Sequence, residues 1–141
     1  MSNGATSDVV DASVWVSQFV PADVHHGAAR RWLDAALAAG GWTPIVPAIA
    51  LPEVAGAVAR RTGLPALGEQ ALATLLAVPG LRVVALDVIL GAEAARTAAR
   101  LGLRGADAVY VAVAHTLAAP LVTLDDEQAA RATGFVHVVR P

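Results

Sequence analysis

The stretch RGADAVYVAVAHTLAAPLVTLD, Arg104–Asp125, sets a small-residue apolar segment directly before a β-branched one. Its spacing predicts a helix from about Ala106 to Ala118, then a buried strand over Leu121–Leu124 that ends at Asp125. Asp107 stands just inside the helix start, flanked by Gly105 and a run of Ala and Val. A carboxylate in such surroundings needs backbone donors, a cation or water.

Working outward, the same alternation repeats. Val9-Val10-Asp11-Ala12 reads as a short buried strand ending at Asp11. A helical stretch from about His25 to Ala39 closes on Gly40-Gly41, a C-cap signal. Pro44–Pro47 gives a second strand. A helix starting near Leu51-Pro52-Glu53, with Pro suited to the first turn, runs to Gly63. Another helix spans Pro65 to Val78 and stops at Pro79-Gly80. Leu81–Leu86 is a third strand and Val88–Leu101 a further helix. After Asp125 a short helix reaches Gly134, and Phe135–Val139 is a last strand. Strands alternating with helices imply an α/β fold of three layers, a parallel sheet covered on both faces. With 141 residues and neither linker nor repeat, residues 1–141 are expected to form one domain.

Composition removes several chemistries. The chain is 56% hydrophobic but only 4% aromatic, so its core is built from Ala, Val and Leu. It has no Cys, which excludes disulfides, thiolate catalysis and thiolate metal sites. It has no Lys, which excludes Schiff-base chemistry and a P-loop lysine. Ten Arg against twelve Asp and Glu give a net charge of −2, the wrong sign for a passive nucleic-acid binder. The polar start MSNGATSD carries no signal-peptide pattern. The longest apolar region, Val109–Leu124, is interrupted by His115 and Pro120 and falls short of the roughly 20 residues of a membrane span. A cytoplasmic protein is expected.

In open parallel sheets, ligands bind beyond the carboxyl ends of the strands, where the strand order reverses. Asp11 ends the first strand and Asp125 the fourth; if these are neighbours, both acids face one crevice. Asp107 opens the helix leading into the fourth strand, and Glu53 opens the helix after the second. The topology therefore gathers four acids at one edge. Close like charges need a cation or raised pKa values. An oxygen-only donor set favours Mg²⁺ or Mn²⁺. Two such ions can activate water and stabilise the leaving oxygen of a phosphodiester.

The segments VVDASVWV, LPEVAGAVARR, RGADAVYVAVAH and LVTLDDEQ resemble, in order and spacing, the acidic motifs of PIN-domain ribonucleases, with the bacterial VapC-type toxins the nearest group. The resemblance spans Val9 to Val139. It implies a central parallel sheet of order 3-2-1-4-5, with Asp11, Glu53, Asp107 and Asp125 as catalytic, metal-holding acids. It also implies Ser13 and Thr123 as polar support beside them. A metal-dependent endoribonuclease follows, cutting RNA to leave a 5′-phosphate and a 3′-hydroxyl. As partners it implies a second copy of the chain and a small antitoxin that sets basic residues into the acidic site. Asp126 and Glu127 follow Asp125 directly, so which acid faces the metal stays open. Gln128 stands where these proteins often carry an apolar residue.

Each residue also has a plainer role. Asp107, Glu53 and Asp125 can cap helices or complement their dipoles. Ser13 can cap the helix after the first strand, and the Thr123 hydroxyl can satisfy backbone. Asp11, ending an apolar strand, has the least structural purpose. The four His pair with no nucleophile, and no G-x-S-x-G is present, so a Ser/His/Asp triad is a poor reading. Arg30-Arg31 and Arg60-Arg61 read as helix surface. Arg96, Arg100 and Arg104 recur every four residues as one basic stripe ending near Asp107, suited either to solubility or to phosphate contacts. Trp15, Trp32 and Trp42 read as core or interface. The rival to a nuclease is a non-catalytic PIN-like or doubly wound binding module whose acids are vestigial. A phosphoacceptor receiver domain is weaker still, because the Lys that such domains use on their last strands is absent from this sequence.

Overall fold

The computed structural model describes residues 4–141. The first three residues of the polar N-terminal stretch lie outside that range. Five parallel strands form one sheet in the order β3-β2-β1-β4-β5. They are β1 (Thr6–Val10), β2 (Trp42–Pro47), β3 (Arg82–Val84), β4 (Leu121–Val122) and β5 (Val138–Val139). Seven helices flank them: α1 (Ala12–Phe19), α2 (His26–Ala38), α3 (Ala50–Thr62), α4 (Pro65–Leu76), α5 (Val88–Leu101), α6 (Gly105–Leu117) and α7 (Asp126–Ala132). The expected strand order and α/β class are both observed. None of the described helices is long and apolar enough to cross a membrane.

The core follows from the composition. Val9, Val10, Ile45, Val46, Leu121 and Val122 of the three central strands are buried, as are Val54, Val58 and every residue of Ala108–Ala114. A run as apolar as α6 is buried on every side rather than along one stripe. Helices α3 and α4 pack so closely that a Cβ on Gly68 would stand 2.5 Å from the Ala55 carbonyl oxygen; only Gly fits there.

Several strands stop short of their sequence patterns, for a local reason. The fourth strand was expected to reach Leu124. Instead the Leu124 amide donates to Ser13 Oγ at 3.0 Å, and the Asp125 amide to Thr123 Oγ1 at 3.0 Å. Side-chain hydroxyls replace the ladder. The last strand begins late because the amides of Phe135 and Val136 are both taken by the Ala132 carbonyl. The third begins at Arg82 because the Leu81 amide closes a turn onto Val78. The first ends at Val10, and Asp11 becomes the N-cap of α1.

Candidate active site

The order of the sheet reverses between β1 and β4, which lie side by side with Val10 opposite Val122. Asp11 and Thr123 are each one residue beyond that pair. Around this crevice a cavity of about 540 Å³, open to solvent, is lined by Asp11, Glu53, Asp107 and Asp125 together with Ser13, Arg60 and Arg61. The four acids come from four different places in the chain: the ends of β1 and β4 and the first turns of α3 and α6.

Asp11 is 5% exposed. Its Oδ2 accepts from the Ser13 amide at 2.9 Å, and its Oδ1 from Gln128 Nε2 at 3.3 Å. The first bond caps α1, a structural purpose that the sequence pattern alone did not reveal. Burial pushes the Asp11 carboxyl up; bonds from Ser13 and Gln128 oppose this, and the charge of Asp125 adds to it. Asp125 Oδ1 accepts from the Gln128 amide at 2.8 Å and caps α7. Ser13 and Thr123 do stand beside these acids. Their hydroxyls are 3.4 Å apart, and Thr123 Oγ1 reaches Asp11 Oδ2 at 3.5 Å.

Glu53 and Asp107 cap nothing: neither α3 nor α6 has a side-chain N-cap bond. Glu53 Oε1 accepts from the Tyr110 hydroxyl at 2.7 Å. Burial raises the Glu53 carboxyl, the Tyr110 bond opposes, and the charge of Asp11 raises it further. Tyr110 is fully buried, and burial, with the charges of Asp11 and Glu53, pushes its phenol up, so it stays a donor. Among the described residues no hydrogen bond restrains the Asp107 carboxylate. Its pKa rises to about 6, first through burial and then through Asp11 and Asp125, with Glu53 adding and Arg104 opposing.

Three residues that the sequence pattern did not single out for the site belong to its surroundings. Tyr110 lies one turn after Asp107 on α6. Gln128 lies one turn after Asp125. Arg60 follows Glu53 and Ala57 at i+7 and i+3 along one face of α3, a spacing that was available as a signal. Gly56 leaves room for it: a Cβ there would stand 3.1 Å from Arg60 Nη1. Arg61 is paired with Asp23 at 2.5 Å. Asp126 is exposed, pairs with Arg140 and does not line the cavity. Of the basic stripe, Arg104 acts on Asp107, whereas Arg96 and Arg100 line a separate cavity with His115 and Phe135.

The donor set fits a hard divalent cation: carboxylate oxygens, no thiol, no imidazole. Among the described residues, no three His, Cys, Asp or Glu side chains are drawn tightly enough around one point to make a finished metal site. Asp11, Glu53 and Asp125 are each tied back by protein donors, and their charges repel.

The model of the PIN domain family matches residues 9–134. This chain belongs to the PIN domain family. Among solved structures it is similar to the Mycobacterium tuberculosis toxin VapC20, described as cleaving the sarcin-ricin loop. That match has 24% identity and a TM-score of 0.77, covering 95% of this chain and 99% of the other. It is similar to VapBC2 from Rickettsia felis, solved bound to a promoter DNA fragment, at 12% identity and a TM-score of 0.73 over 96% and 99%. It also resembles a toxin–antitoxin complex from Klebsiella pneumoniae, at 17% identity and a TM-score of 0.66 over 94% and 95%. At these identities the likeness is one of fold. No curated relative matches the sequence.

Proposed function

We propose that this PIN domain is a metal-dependent endoribonuclease and the toxin of a VapBC-type pair. The observation that carries the reading is the meeting of four acids from four elements in one open cavity at the β1/β4 crevice, where burial first and then the charges of Asp11 and Asp125 raise Asp107 to about 6. Helix capping explains Asp11 and Asp125. It does not explain Glu53 or Asp107, and that weighs against a vestigial site in a binding module.

Asp11, Glu53, Asp107 and Asp125 would hold Mg²⁺ or Mn²⁺. Such an ion supplies an activated water and neutralises charge on the phosphodiester. The chain's own residues do the rest. Ser13, Thr123 and Gln128 fix Asp11, while Tyr110 fixes Glu53. Asp107, unrestrained by hydrogen bonds, is the carboxylate best able to turn onto a cation. Arg60, at the rim, supplies positive charge to an RNA phosphate. Cleavage leaves a 5′-phosphate and a 3′-hydroxyl. The likeness to a toxin–antitoxin complex supports an antitoxin partner. On this reading the antitoxin inhibits by setting basic residues into the acidic site, and the toxin acts as a homodimer in the cytoplasm.

The test is cleavage of cellular RNA by the purified chain in Mg²⁺ or Mn²⁺ and in EDTA, alongside Asp11→Asn. Cutting only with metal, and only by the wild type, is expected. Cutting that persists in EDTA or in the variant overturns the mechanism.

A further inference from the structure

We infer that Gln128 is a positioning residue that sets three of the four acids relative to one another; the inference rests on the metal-site reading above. Gln128 is completely buried. Its backbone amide donates to Asp125 Oδ1 at 2.8 Å. Its side-chain Nε2 donates to Asp11 Oδ1 and to the backbone carbonyl of Asp107, both at 3.3 Å. One residue thereby joins the end of β1, the first turn of α6 and the start of α7.

The orientation of the amide is fixed by its partners. A carboxylate oxygen and a carbonyl oxygen both accept, so the nitrogen must face them. That leaves Oε1 buried, with no partner among the described residues. A buried acceptor without a donor is a cost that an apolar side chain of the same shape avoids. Packing alone therefore favours an apolar residue at this position. What Gln adds is two N–H bonds, and both end on segments that carry site acids. Partners that orient metal-holding side chains typically change affinity by about 10–100-fold when removed.

The test is Mn²⁺ binding to the metal-free chain, followed by electron paramagnetic resonance, for wild type, Gln128→Met, Gln128→Leu and Asp11→Asn, with thermal melts of each in EDTA. Both Gln128 variants place an apolar side chain of similar volume there, keep the backbone amide bond to Asp125 and lose the side-chain donors. The expected result is Mn²⁺ affinity about 10–100-fold below wild type in both, a loss larger than any change in melting temperature accounts for. Equal affinity for wild type and the Gln128 variants overturns the inference while leaving the site intact. Failure of both variants to fold, or affinity falling only in step with a lowered melting temperature, also overturns it, because a structural role then suffices. If wild type and Asp11→Asn both fail to bind Mn²⁺, the metal-site reading falls and takes the inference with it.

Discussion

Tyr110 and Glu53, 57 residues apart in the chain, meet through a 2.7 Å hydrogen bond from the phenol to Oε1. The bond ties the first turn of α3 to the buried helix α6 and holds one site carboxylate in place. Hydrogen bonds to charged groups contribute about 1.5–3 kcal/mol. Glu53 keeps contact with solvent, so the low end applies. Tyr110→Phe should therefore cost about 1.5 kcal/mol at neutral pH, read as a lower urea midpoint with an unchanged slope. A midpoint equal to that of wild type means the bond holds nothing.

The raised carboxyls also set the direction of the pH dependence. The folded-state pKa values of Asp11, Glu53 and Asp107 all lie above their ordinary values. Between about pH 4 and 6 the folded chain then binds more protons than the unfolded one, and stability falls as pH rises. Without screening, the rise of Asp107 to about 6 corresponds to about 3 kcal/mol. Asp107 is partly exposed, and solvent screening reduces this to about 1 kcal/mol. In EDTA the melting temperature should rise by about 2–4 °C as pH falls from 7 to 5. A fall over that range contradicts the raised carboxyls of Asp11, Glu53 and Asp107.

Legibility in the sequence followed the range of the physics. The α/β alternation and the helix limits of α2, α3, α5 and α6 are written in local periodicity and in glycine stops, and they were readable to within a residue or two. The strand ends were not. Whether the Leu124 amide joins a ladder or donates to Ser13 Oγ is decided by a contact spanning 111 residues. The same holds for the site. Each acid sits at an element boundary, which local reading finds. Gln128 and Tyr110 sit inside elements, where pattern alone predicts packing, and their site contacts span 117 and 57 residues.

Arg60 and Arg61 are adjacent in sequence and differ in commitment. Arg61 is bound to Asp23, whereas Arg60 lies back along α3 over Gly56 at the cavity rim. A cation that meets substrate but not the reacting atoms contributes uniform binding, which appears in KM. Arg60→Ala should raise KM for RNA about 3–10-fold with kcat nearly unchanged, and reduce the salt slope of binding by about 1. Arg61→Ala should do less. Equal effects from the two, or a loss confined to kcat, would remove Arg60 from the substrate path.

Asp107 returns to the question of why a carboxylate stands at the start of so apolar a helix. It is not a cap: the N-cap of α6 is Arg104, and no side chain there bonds the free amides. It gains from the helix dipole, by about 0.3–1 kcal/mol for an exposed group. Against that stand burial and the charges of Asp11, Asp125 and Glu53, which together outweigh the charge of Arg104 and raise the carboxyl to about 6. Removing the charge while keeping the shape should therefore stabilise the metal-free fold. Asp107→Asn should melt about 2–4 °C higher than wild type in EDTA at pH 7, with a flatter pH dependence between 5 and 7. Mn²⁺ should reverse the order, because wild type keeps all four carboxylates for the ion and gains more from binding it. Such a reversal is what an acid kept for its ligand rather than for the fold produces. A variant less stable than wild type in EDTA would mean that Asp107 serves the helix.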